Sequence, residues 1–480
     1  MGMKLSKGTK TTLSAVAIIL ILVAAVIASI WRVNPPRANE NDPQFIQMMY
    51  NLERMATGVR WVGTPEAAYS RDQIIAEIEA IGLTATIHRT IFTFEDHHEA
   101  RQIIARVRRG EELGPFDARY RGTYRTFVWH WFPNHPLLNQ GYMYVDNILV
   151  TLESSNPDAG SIMFVAHYDT TINTPGAADA MLPVVAMLEA MRVHANSDNL
   201  ASNMHFLFTD GEEWGALGAL AFSRNFPDMI NNVDLLVNLE AMGNAGGVVA
   251  FETSGMDLGM VRAFNRAVSR PIGFHWAEWV YDTFLPGFFT DFTIFRDYGF
   301  RGLNFAIVGG GEYYHTPYDT PENVNRNTAW HYLHTTLELA EYAAANDLAV
   351  LRGANSNALF FTFLPWGNML VMSTALANVF TVLAFVATLG FLAYRFITKR
   401  KMSWFITLIL IMLMAVTAVT LLIASHLAYM LWMPLLILSI AAFLKGRDIY
   451  YKCAMIAAVV VTLLLWVPPI YLLLTLFQII

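Results

Sequence analysis

Residues 13–31 read LSAVAIILILVAAVIASIW, without one charged side chain. A helix of that length crosses a hydrocarbon core of roughly 30 Å. The C-terminal region repeats the pattern. No Asp, Glu, Lys or Arg occurs between Arg352 and Arg395, within 402–444, or within 453–480. Almost all the charge therefore falls between about residues 38 and 352. That partition, in a chain that is 55% hydrophobic, excludes an ordinary soluble protein. It predicts a globular domain with membrane spans on both sides.

Five spans are expected. Lys4, Lys7 and Lys10 precede the first run, and IASIWRV is a poor cleavage site. Residues 11–32 are thus read as an uncleaved anchor, with residues 1–10 in the cytoplasm. Four further spans are expected within 366–480, near 369–394, 404–423, 427–444 and 454–476. The basic loops RFITKRK and KGRDIYYK then fall inside if the domain at 38–352 lies outside, as the positive-inside rule requires. No Asp or Glu within the spans marks a transport path. With one cysteine, Cys453, an intrachain disulfide is impossible, so the outer domain must be held by its core. The net charge is −7 and no basic stripe is present, which argues against nucleic acid as a partner. No Asn-x-Ser/Thr sequon occurs, which favours a bacterial plasma membrane over an endoplasmic reticulum lumen. The oligomeric state is not legible.

Within the central domain, residues 42–56 and 67–81 have helical spacing, and TATIHRTIFTF alternates like a strand. Residues 92–140 read as an irregular insertion. From residue 146 short apolar strands follow one another: NILVTLE, SIMFVAH, MHFLFTD, VDLLVNLE and GLNFAIVG. Helical stretches at 179–193, 215–226 and 255–268 separate several of them. The alternation predicts an α/β domain whose mixed, mostly parallel central sheet is flanked by helices. Sites in such sheets lie at the carboxyl ends of the strands.

That is where the ionisable residues collect. FVAHYDT gives His167 and Asp169, and TPGAADA gives Asp179. TDGEEWG gives Asp210, Glu212 and Glu213, and NLEAMG gives Glu240. GGGEYYHTPYDTPENVN gives Glu312, His315 and Asp319. Each piece alone is compatible with a polar loop or a solvated turn. Together they offer the nitrogen and oxygen ligands that zinc takes, and a two-metal site needs a bridging carboxylate. Two adjacent acids after an apolar strand cannot share one environment. One can face a metal while its neighbour faces a water, which separates a ligand from a general base. Trp276, Trp279, Phe284, Phe288 and Phe289 precede the last motif and are candidates for a pocket lining or for packing.

VAHYDT, PGAADA, FTDGEEWGALGA, NLEAMG and YYHTPYDTPENVN resemble the motifs of metallopeptidase family 28, the co-catalytic zinc exopeptidases. TDFTIFRDYGFRGLNFAIVGGGEYYHTPYDTPENV further resembles the membrane-bound branch, the endoplasmic reticulum metallopeptidases and vacuolar membrane proteases. The resemblance covers roughly residues 140–345. It implies two zinc ions, one held by His167 and Glu240, the other by Glu213 and His315, with Asp179 bridging. It implies Glu212 as general base and Asp169 behind His167, fixing its tautomer. It implies hydrolysis of a peptide substrate at a bilayer surface, most simply as an aminopeptidase. Tyr314 is a candidate for oxyanion stabilisation. Two positions depart from the family pattern: many relatives have aspartate where Glu240 stands, and many have a polar residue where Ala180 stands. Two other readings remain open, a non-catalytic receptor or scaffold on the same fold and a single-zinc glutaminyl cyclase.

Overall fold

The computed structural model describes residues 7–93, 142–284, 289–353, 356–362, 364, 366–398, 410–417, 431–443 and 448–476. Nearly all of the expected insertion at 92–140, most of the expected span at 404–423, parts of both basic loops and Phe288 lie outside them.

In chain order the elements are α1 (Lys7–Val33), α2 (Pro43–Met55), α3 (Pro65–Ile81), β1 (Thr86–Thr93), β2 (Tyr142–Leu152), β3 (Ser161–His167), α4 (Leu182–His194), β4 (Asn203–Thr209), α5 (Leu217–Asn225), α6 (Met229–Asn232) and β5 (Leu235–Ala241). Then come β6 (Val249–Thr253), α7 (Leu258–Ala267), β7 (Ile272–Gly273), α8 (Ala277–Phe284), α9 (Asp291–Tyr298), β8 (Gly302–Ile307), α10 (Arg326–Ala345), β9 (Ala358–Phe361), β10 (Leu370–Ser373), α11 (Thr374–Ile397), α12 (Trp432–Phe443) and α13 (Asp448–Leu476).

Eight strands form one sheet in the order β1-β2-β4-β3-β5-β8-β6-β7. The centre, β4-β3-β5-β8, is parallel, and β6 pairs parallel with β7. The β1/β2, β2/β4 and β6/β8 pairings are antiparallel. The sheet is thus mixed, with four of its seven pairings parallel. The short segment 242–248 between β5 and β6 explains one reversal, because a parallel return needs a crossover of a dozen or more residues. β3, β5 and β8 are buried along their whole length, as strands covered on both faces must be. Ile162, Phe164, Val237, Leu239 and Phe305 face one core with α2, α4 and α10. Met163, Val165, Leu207 and Leu236 face the other, against α5 and α9.

α1, residues 374–394 of α11 and residues 453–476 of α13 are long and apolar enough to cross a membrane. The expected span at 369–394 starts later than its hydropathy suggests, because Leu370–Ser373 is a strand paired with β9. α12 covers only part of the expected span at 427–444. α1 and α13 are fastened to the domain by specific contacts. Arg32, buried at the end of α1, donates to the carbonyls of Pro271 (2.7 Å) and Gly367 (3.2 Å). The Arg270 guanidinium lies 4.2 Å from the centre of the Trp31 ring. Tyr471 of α13 donates to Asn34 Oδ1 at 3.3 Å. Phe251, Phe274, Ala306, Leu465 and Leu472 belong to a single apolar cluster, so domain and membrane helix share a core.

Candidate metal centre

Four strand ends build the site. β3 terminates on His167. β4 leads through Gly211, whose φ of 75° needs no Cβ, into a 3₁₀ turn carrying Glu212 and Glu213. β5 carries Glu240, and the loop after β8 carries His315 in a left-handed conformation, φ 56°. A non-glycine residue held there is uncommon and collects at functional sites. Asp179 lies in a π turn, Ala177–Met181, before α4.

The sequence-predicted ligands meet. His167 Nε2 is 3.1 Å from Asp179 Oδ1 and 3.5 Å from Glu240 Oε2. His315 Nε2 is 3.2 Å from Asp179 Oδ2 and 3.1 Å from Glu213 Oε1. Ligand atoms fall within 4.8 Å of one another in three sets: His167, Asp179 and Glu240; Asp179, Glu213 and His315; and His167, Glu212 and Glu213. Asp179 is common to the first two and offers one oxygen to each imidazole.

The donor set fits a cation. His167 Nδ1 faces the carbonyl oxygen of Asp169 at 3.1 Å. A carbonyl can only accept, so Nδ1 carries a hydrogen, and once the ring is neutral Nε2 presents a lone pair. That lone pair faces two carboxylate oxygens. Asp179 Oδ2 and Glu213 Oε1 are buried without a hydrogen-bond partner. Acceptors turned toward acceptors in a buried site need a positive charge between them.

The electrostatics agree. Burial, then the charge of Glu240, pushes Glu212 well above the usual carboxylate range. Burial and Asp179 push Glu213 up to about 7. Burial opposes ionisation of Asp179, yet the His167 and His315 imidazoles beside it hold it below the usual range. Burial alone would lower His315, but Glu213 and Asp179 push it up to about 10.

These shifts set a pH dependence for the chelated protein. Glu213 favours folding while protonated; that stability is complete below its ordinary value of 4.5 and is lost as pH rises toward about 7. The His315 contribution is complete below 6.5 and is lost as pH rises through about 10. Both have the same sign, so the Tm of the chelated chain falls by several degrees from pH 5 to pH 8. Metal binding requires deprotonated ligands, so saturating zinc reverses the slope between pH 5 and 7. Thermal unfolding in chelator and in zinc checks this; a chelated chain that gains stability toward pH 8 contradicts it.

Asp169 lies behind His167, on the side of Nδ1. Its carboxylate stands 3.5 Å from His167 Nδ1, and accepts from the amides of Glu212 (2.9 Å) and Glu213 (3.2 Å). It positions the acidic turn, while its backbone carbonyl orients the imidazole. Asp210 lies outside the ligand sets and accepts from the Asp146 amide at 3.0 Å. Glu312 is exposed. Tyr314 stacks on His315 with ring centres 3.7 Å apart.

Several supports were not anticipated. Asp319 accepts from the amides of Ala178 (2.8 Å) and Asp179 (3.1 Å) and so holds the π turn. Arg60, fully buried, donates to the carbonyls of Tyr168, Pro175 and Gly176 and ties the His167 and Asp179 loops together. Asn238 donates to Glu240 Oε1 at 3.3 Å and to Asn304 Oδ1 at 3.0 Å. Asp291, buried at the start of α9, accepts from Thr209; burial, with Glu240 nearby, pushes it up to about 7. Thr290 before Asp291 is a helix-start signal that sequence alone offers. Nothing marks Arg60 in advance.

Parallel strands that deliver two imidazoles and several carboxylates to one end of a covered sheet define an α/β domain with a metal-ligand centre. Residues 147–340 match the profile described as Peptidase family M28. The chain is similar to the vacuolar membrane protease of Candida glabrata, 28% identical over 46% of this chain and 23% of that one. It is also similar to the vacuolar membrane protease of Vanderwaltozyma polyspora, 30% identical over 49% of this chain and 25% of that one. The chain spans about a quarter of the length of these curated relatives. Among solved structures, an aminopeptidase from Aneurinibacillus sp. strain AM-1 aligns with a TM-score of 0.44 at 14% identity, over 63% of this chain and 94% of that one.

Proposed function

We propose that this chain is a membrane-anchored, zinc-dependent exopeptidase that removes amino-terminal residues from peptides outside the cytoplasm. The observation that carries the reading is Asp179 between two imidazoles, one oxygen toward each. His167, Asp179 and Glu240 would hold one zinc, and Glu213, His315 and Asp179 a second. Asp179, Glu212, Glu213 and Glu240 offer four carboxylates to one buried cluster, and two dications offset their ionised forms better than one. Bound there, zinc supplies Lewis acidity toward the scissile carbonyl and makes a nucleophile available at neutral pH.

The chain's own residues do the rest. Glu212 takes a proton from the attacking water and delivers it to the leaving amine. Asp169 fixes the turn that carries Glu212 and Glu213. Asp319 and Arg60 keep Asp179 in place. The acidic site attracts an ammonium terminus and repels a carboxylate one, which favours an aminopeptidase.

Peptides with free and with blocked amino termini, offered to the zinc-loaded full chain alongside a metal count, test the reading. Hydrolysis limited to free termini with two zincs per chain is expected. One zinc with cyclisation of amino-terminal glutamine, or no metal and no turnover, would replace the reading with the cyclase or the scaffold. The domain is expected outside the cytoplasm. α1 and α13 both reach it with their C-terminal ends, and α11 leaves it from Ser373. An even number of crossings between α11 and α13 fits the five-span path. A tag in the domain that only an internal protease cleaves would reverse this orientation.

A further inference from the structure

An apolar cleft adjoins the metal centre, and the membrane helix α13 forms one of its walls. Strand alternation sets Asn238, Glu240 and Met242 on one face of the sheet. Glu240 is directly opposite Ala306, which is in turn opposite Val249. Neighbouring strands lie roughly 4.8 Å apart. Ala306, Met242 and Val249 line the cleft, so it begins one strand away from Glu240 on the same face. It continues between Trp276 at the start of α8 and Leu472, Leu473 and Leu476 of α13. The loop leading to His315 rests on that helix: a methyl added at Gly309 would lie 3.3 Å from Thr475 Cγ2. The cleft has an internal free volume of ≈ 60 Å³. A water-sized group takes roughly 10–15 Å³ of such volume, so about four to six heavy atoms fit.

We propose that this cleft receives the side chain of the substrate residue that carries the scissile carbonyl, and that Leu472 and Leu476 of the last membrane helix select for leucine- or methionine-sized residues. The inference rests on the exopeptidase reading for its substrate, but its geometry stands apart from it. A carbonyl held at the His167–Asp179–Glu240 cluster places its neighbouring side chain within one strand spacing of Ala306. Apart from the Trp276 indole N–H, the described lining is apolar, so charged residues lose hydration and small ones leave the cleft unfilled. A soluble peptidase domain would need its own loop to close that wall; here a membrane span closes it.

The test uses the zinc-loaded full chain in a lipid nanodisc, with amino-acid hydroxamates as metal-directed probes followed by calorimetry. Leucine hydroxamate is expected to bind 10–100-fold more tightly than glycine hydroxamate. Leu472→Trp fills the cleft and brings that ratio toward one. Leu472→Ala enlarges it and raises the ratio of phenylalanine to leucine hydroxamate about 10-fold. The second change is a gain, which misfolding cannot produce. Equal ratios in parent and variants, or no binding of any hydroxamate, overturn the proposal. Leucyl and glycyl peptides are assayed in parallel. Turnover with unresponsive ratios removes the cleft and keeps the peptidase; responsive ratios with no turnover of any peptide keep the cleft and remove the peptidase.

Discussion

Glu212→Gln will keep the metal content of the protein and lower its peptide hydrolysis by about 10²–10⁴-fold, the usual contribution of a positioned general base. The substitution preserves size and burial at a residue only 8% exposed, so the ligand cluster is not disturbed. The amide cannot take up a proton. Glu212 sits in one set with His167 and Glu213, close enough to serve a water bound beside them. Its carboxyl is pushed well above the usual range by burial and by Glu240. It therefore becomes a base at neutral pH only when the surrounding negative charge is compensated. Turnover within a few-fold of the parent at equal zinc content would remove it from that role.

Asp179→Ala is expected to reduce bound zinc to at most one ion per chain and to abolish hydrolysis. The residue is shared by the His167–Asp179–Glu240 and Asp179–Glu213–His315 sets and turns one oxygen toward each imidazole. Partners that merely orient a ligand cost roughly 10–100-fold in metal affinity when removed, so loss of a shared ligand should exceed that. Metal analysis after dialysis against a weak chelator gives the answer. Two zincs retained at full occupancy would end the bridging assignment. Asp179→Asn, which keeps the shape and the Oδ1 acceptor, should retain more metal than alanine, separating lost ligation from a collapsed loop.

Much of this site was legible because strand ends are marked by abrupt chemistry. SIMFVAH and VDLLVNLE pass from full burial to an ionisable group within one residue, and β3 and β5 end within a residue of where those strings do. The helix at 42–56 was legible from its apolar spacing, and Asp42 caps it by accepting from the amides of Gln44 and Phe45. Elements without a period were not legible. α10 is buried on much of its circumference, so no polar face marks it. β6 and β7 are too short to show alternation, although they extend the sheet beyond β8. The supports of the site were hidden for another reason. Arg60 works through carbonyls more than a hundred residues away, and no local pattern announces that. The role of Asp169 was read from its side chain, whereas its backbone oxygen lies nearer the imidazole.

The buried Arg32, the Arg270–Trp31 stack and the Tyr471–Asn34 bond have a consequence for reach. A domain on a slack tether sweeps a wide shell above the bilayer and meets whatever diffuses through it. This one is riveted at both the first and the last span, so it works like a blade set at a fixed height. On the proposed exopeptidase reading, chain ends that never come down to that height would pass uncut, however well their sequence would fit.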